Sequence, residues 1–179
     1  VQHDPAAAGS PAPPGRPVAA EVSPESVYLE ELLARAGRPG LLQNWKIALD
    51  CAHGATHKLA PELFRRLGAR VTTLYAEPDG ENINRDCGSQ HTADLRKTVV
   101  ETGAAVGLAF DGDGDRLIAV DEKGTEITGD QILVICARML KEEGKLKNDL
   151  LDSTIMSNLG LTVACKKHGF THYASKVGD

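Results

Sequence analysis

From Trp45 onward, short apolar runs alternate with amphipathic stretches, and this rhythm constrains the fold more than any other feature. Lys46–Asp50 reads KIALD, long enough for a buried strand and too short for a helix. After Gly54 a helix is predicted over Thr56–Leu67, with Leu59, Leu63, Phe64 and Leu67 as its apolar stripe and Gly68 as its stop. Arg70–Leu74 is the next strand, and the polar, Gly-containing stretch Pro78–Ser89 is a loop. Thr92–Thr102 is a second helix closed by Gly103, and Ala104–Phe110 is a strand. Leu117–Val120 is a further strand, ending in a turn at Lys123-Gly124.

Parallel neighbours need a crossover segment, usually a helix, so this succession predicts an α/β fold. The expected architecture is a mixed, mostly parallel sheet with flanking helices. A shorter round follows: helix over 130–143, strand over 151–156, helix over 159–168 and strand over 171–175. It holds too few elements to close a doubly wound domain and reads as an incomplete second α/β unit. The expected division is 1–22 as a tail, 23–126 as one domain and 127–179 as part of another.

The tail holds five of the nine prolines and reads as a disordered linker, because it cannot bury enough apolar surface to offset its ordering entropy. Order is expected to begin at Ser23, which can cap a helix with Pro24 in its first turn, carrying Val27, Leu29, Leu32 and Leu33 until Gly37. The first residue is Val1, which reads as processing or a fragment. The net charge of −5 argues against nucleic acid and anionic membranes as partners, and no apolar run is long enough to span a bilayer. Cys51, Cys87, Cys136 and Cys165 form no CxxC pair, so they read as small buried hydrophobes in a reducing, cytoplasmic setting.

Chemistry concentrates in Ala109-Phe110-Asp111-Gly112-Asp113-Gly114-Asp115-Arg116, where three carboxylates alternate with glycine after a buried strand. Such close like charges repel, and a divalent cation removes the penalty. Carboxylate oxygens suit hard Mg²⁺ or Ca²⁺. The loop also follows a predicted parallel strand, where open α/β sheets place their sites. An EF-hand does not fit, because Arg116 stands where that loop requires glycine and the flanks read as strands. A haloacid-dehalogenase-type phosphatase fits Asp111 and Asp113 but meets Asp115 where Thr or Val is usual. Arg116 can share the site with an anion such as a phosphate, or simply pair with the carboxylates. Gly54 reads as a strand-to-helix turn, and His53 and His57, lacking an acidic third ligand nearby, read as surface or packing residues rather than metal ligands.

At these residues the chain resembles the α-D-phosphohexomutase superfamily, whose metal loop DGDGDR stands intact at Asp111–Arg116. The likeness runs through residues 45–179 and includes Asp50-Cys51-Ala52-His53-Gly54-Ala55, Asn82-Ile83-Asn84, Cys87-Gly88-Ser89, Gly129-Asp130-Gln131-Ile132, Met156–Leu161 and Lys176–Asp179. The Asn-Ile-Asn and Cys-Gly-Ser elements point to the bacterial phosphoglucosamine mutase branch. The resemblance implies interconversion of glucosamine 6-phosphate and glucosamine 1-phosphate through a phosphoserine and a bisphosphate. It implies Asp111, Asp113 and Asp115 as Mg²⁺ ligands, Arg116 as a catalytic residue at the phosphoryl group and Lys176 in a substrate-contacting loop. The phosphorylated hexosamine is the implied substrate.

The departures from that pattern matter as much. The family's serine loop of TASHNP type is missing from these residues, as are its GE-x-SGH sugar-reading and Arg-x-SGT phosphate-binding motifs. The expectation is a piece carrying domain 2 and the start of domain 3, inactive alone, with domains 1 and 4 and the rest of 3 present in a full-length enzyme. A non-catalytic metal- or partner-binding remnant is the alternative.

Overall fold

A computed structural model describes residues 23–178. The expected tail, residues 1–22, lies outside the described residues, and the helix expected after Ser23 is present. Helix α1 (Pro24–Ala36) is capped by the Ser23 side chain, which accepts from the Ser26 N–H, and Gly37 ends it in the left-handed region at φ 82°. It lies on α2 (Leu59–Arg66), tied there by Arg66 Nη1 donating to Glu30 at 2.6 Å.

A five-stranded sheet follows, built from β1 (Lys46–Asp50), β2 (Arg70–Leu74), β3 (Val106–Phe110), β4 (Leu117–Asp121) and β5 (Glu126–Ile127). The spatial order is β2-β1-β3-β4-β5. β1 pairs in parallel with both β2 and β3, whereas β4 is antiparallel to β3 and β5. The mixed α/β class is as expected. The antiparallel half has a simple cause: the loop of residues 111–116 between β3 and β4 is too short to hold a crossover. β5 was not foreseen; it is the return arm of the Lys123-Gly124 turn, and its Ile127 pairs with Ala119.

Period-two alternation divides the core between the two faces of the sheet. Ile47 and Leu49 pack with Ala60 and Phe64 of α2, while Ala48 packs with Leu95 and Val99 of α3 (Ala93–Thr102). α2 and α3 lie on opposite faces because β1 connects outward to β2 and β2 connects back across to β3, and right-handed crossovers in opposite directions cover opposite sides. The predicted helix at Thr56 starts later, since residues Ala55–His57 form a 3-10 turn before α2.

The second unit packs α4 (Gly129–Glu142) and α5 (Leu159–His168) on the parallel pair β6 (Leu150–Thr154) and β7 (Thr171–Ser175). Its core is Ala137, Leu151, Leu161, Cys165 and Phe170. Thr128 and Gln131 form a reciprocal capping box on α4. Among the described residues no helix is long and apolar enough to cross a membrane.

Candidate metal centre

β1 and β3 are neighbours whose outgoing connections run to opposite sides of the sheet. This leaves a crevice at their C-terminal ends, where open α/β sheets place ligands. The turn after β1 and the acidic loop after β3 meet there: the Ala55 N–H donates to the Gly112 carbonyl at 2.8 Å. The approach is so close that a Cβ on Gly54 would stand 2.2 Å from the Gly112 oxygen. On its other side Gly112 faces Asn84 and Ile83, and Gly88 sits against the Phe110 carbonyl. The sequence segments 50–55, 82–84 and 87–89 therefore form the seat of the acidic loop.

Within the loop, the Gly114 N–H donates to the Asp111 carbonyl at 3.1 Å and the Arg116 N–H to Asp111 Oδ1 at 3.0 Å. Gly114 adopts φ 77°, which glycine alone reaches without cost. The result brings one carboxylate oxygen each from Asp111, Asp113 and Asp115 within 4.8 Å of one another. Oxygens bound to a hard cation at about 2.1–2.5 Å lie roughly 3–5 Å apart, so the donor type and spacing fit such an ion. Asp111 is the sheltered member, with 14% of its side chain exposed, while Asp115 has 66% exposed. The Arg116 N–H holds the Asp111 carboxyl below its ordinary range. A hydrogen bond to Asp111, then the Asp113 charge, pushes the Asp115 carboxyl up.

Arg116 Nε lies 3.7 Å from Asp111 and 3.8 Å from Asp115. It pairs loosely with the loop while 71% of its side chain faces solvent. Lys176 is exposed beyond β7, and no hydrogen bond or ion pair joins it to the acidic loop among the described residues. His53 Nδ1 accepts from the Glu77 N–H at 3.1 Å, and His57 Nδ1 donates to the Gly54 carbonyl at 2.9 Å, so the Nδ1 of each ring has its own local partner. Cys51, Cys87 and Cys165 are buried as expected, but Cys136 is exposed on α4, correcting the reading of all four as core hydrophobes.

Sequence reasoning placed Asp50 at the end of a strand and within the segment that carries the family likeness, but gave it no role. Asp50 is fully buried, and burial pushes its carboxyl up against the opposing effect of two backbone N–H bonds. A carboxylate directly after the buried run Ile47-Ala48-Leu49 was the available signal.

Residues 26–124 match the family described as phosphoglucomutase/phosphomannomutase, alpha/beta/alpha domain II, and residues 128–179 match domain III of that description. The chain is 67% identical over 138 residues to a phosphoglucosamine mutase of Syntrophobacter fumaroxidans, covering 77% of this chain and 31% of the relative. It is 56% identical over 138 residues to the phosphoglucosamine mutase of Syntrophus aciditrophicus, with the same two coverages, 77% and 31%. It therefore spans about a third of the length of these relatives. A solved phosphoglucomutase/phosphomannomutase family protein of Burkholderia thailandensis shares the fold at TM-score 0.71 and 24% identity, over 86% of this chain and 33% of that one.

Proposed function

The chain belongs to the phosphoglucomutase/phosphomannomutase family, and from that premise we propose that it carries the Mg²⁺-binding part of a phosphoglucosamine mutase. The observation that carries the reading is the convergence of Asp111, Asp113 and Asp115 at the end of β3. The family match leaves the haloacid-dehalogenase-type reading without support.

In this reading the three carboxylates hold the cation, which when bound supplies Lewis-acid stabilisation of charge on a transferring phosphoryl group. Arg116, solvent-facing beside them, pairs with phosphoryl oxygens and is the catalytic residue of this chain. Lys176 contacts the phosphorylated hexosamine from the loop after β7. The substrate is glucosamine 6-phosphate, converted to glucosamine 1-phosphate in the cytoplasm. The catalytic serine comes from a domain outside these residues, and domains 1 and 4 and the rest of domain 3 complete the enzyme. Within the chain we assign 23–126 to domain 2 and 127–179 to domain 3, with β5 at their junction.

The test is a coupled assay for glucosamine 1-phosphate. This chain alone should give no turnover, whereas a protein joining it to its serine-bearing and phosphate-binding domains should turn over and lose activity on Arg116→Ala or Asp113→Asn. Turnover by the chain alone would overturn the assignment of the serine. A metal-binding but inactive complete protein would favour the non-catalytic remnant.

A further inference from the structure

Asp50 ends β1, and its side chain is wholly shut away from solvent. Burying a carboxylate without a cation is costly, so a carboxylate kept there needs a reason beyond packing. Among the described residues it has no ion pair. Its two oxygens each accept one backbone N–H: Oδ1 from Ala52 at 2.9 Å and Oδ2 from Gly88 at 2.8 Å.

The two donors belong to the two turns that touch the acidic loop. Ala52 opens a turn in which Ala52 and His53 both adopt left-handed backbone, at φ 51° and 49°. Neither is glycine, so this turn needs an external hold, which Oδ1 supplies. The turn delivers Gly54 and Ala55 onto the Gly112 carbonyl. Gly88, at φ 76°, rests on the Phe110 carbonyl, immediately before Asp111. One side chain thus ties together the supports on both sides of the loop. The Asn84 N–H adds a further link by donating to the Ala52 carbonyl at 2.9 Å.

We propose that Asp50 is a positioning residue for the metal loop, joining the turn at Ala52 to the turn at Gly88 so that Asp111, Asp113 and Asp115 stay converged. This rests on the metal-binding reading of that loop. The role demands two acceptors on a short planar group. Aspartate has two; asparagine has one acceptor and one NH₂, which would face an N–H donor on one of the turns. Outlying partners that orient metal ligands typically affect affinity by about 10–100-fold.

The experiment is Mn²⁺ titration of the chain, followed by electron paramagnetic resonance, with Mg²⁺ competition. Wild type should bind one Mn²⁺ and Asp113→Asn should bind it more weakly; if wild type does not bind, the metal reading itself fails. Given binding, Asp50→Asn with an unchanged circular dichroism spectrum should bind about tenfold more weakly or worse. Wild-type affinity in that folded variant would overturn the proposal.

A second measurement needs no variant. Linkage is reciprocal, so Mg²⁺ should slow amide exchange at Ala52 and Gly88 while leaving amides of the separate β6–β7 sheet unchanged. Equal exchange of those two amides with and without Mg²⁺, at saturating metal, would also overturn it.

Discussion

Gly54→Ala is a clean perturbation because its cost arises from contact alone. Gly54 sits at φ −108° and ψ −161°, extended backbone open to any residue. Alanine there would not strain its own backbone and would even stabilise by about 0.4–1 kcal/mol through the unfolded chain. Against this, the new Cβ would stand 2.2 Å from the Gly112 oxygen, 2.6 Å from its Cα and 2.7 Å from its carbonyl carbon. Carbon contacts relax near about 3.5 Å, so the loop must retreat by roughly 1 Å. Overpacking of this kind costs about 1–3 kcal/mol. The displaced Gly112 carbonyl also weakens its 2.8 Å bond from the Ala55 N–H, a loss of about 0.5–1.5 kcal/mol. The net expectation is about 0.5–4 kcal/mol of destabilisation. Urea unfolding followed through Trp45, the single tryptophan, measures it. Gly129→Ala is the control: nothing lies within 4 Å of a Cβ there, and it should be neutral or slightly stabilising. Mn²⁺ affinity of Gly54→Ala should also fall at least about tenfold, since the loop it moves carries the proposed ligands. A Gly54→Ala protein with wild-type midpoint and wild-type affinity would refute the reasoning from close approach.

Replacing Asp113 by Asn should reduce Mg²⁺ binding in a calorimetric titration while leaving the urea midpoint almost unmoved, because Asp113 is exposed; unchanged binding would remove the loop as the site. Iodoacetamide at pH 8 should label the exposed Cys136 first. Burial pushes the Cys51 and Cys87 thiols up to about 11, so they should react only after urea is added, as peptide mass mapping would show. The same two thiols predict an alkaline loss of stability. Their folded pKa lies above the ordinary 9.0, so the folded state holds more protons in that window, and stability should fall as pH rises from about 9 towards 11. A flat urea midpoint across that range would contradict this. Arg116→Ala should change stability by less than about 1 kcal/mol, as expected of an exposed pair, and by the same unfolding assay a larger loss would mean it braces the loop.

Much of the local structure was legible in the residue pattern. Ser23 before Pro24, and Gly37 and Gly103 at the expected stops, set helix ends that the backbone honours, both glycines taking a left-handed conformation. The acidic loop was legible too, because alternation of Asp with Gly after a buried strand is a local signal. β4 and β5 were harder to place, since their antiparallel course depends on how little chain separates them from their neighbours.

What makes the loop a candidate site was decided only by tertiary structure. Gly54 reaches Gly112 and Asp50 reaches Gly88 across long stretches of chain, brought together by the order β2-β1-β3. By residue type and local pattern, Gly54 is an ordinary turn residue and Asp50 an ordinary strand end, and their place in the family-like segment says nothing of what they touch. Periodicity and capping act within a few residues and so can be read along the chain. A close approach between turns depends on which strands become neighbours, and that is settled by packing α2 and α3 on opposite faces of one sheet.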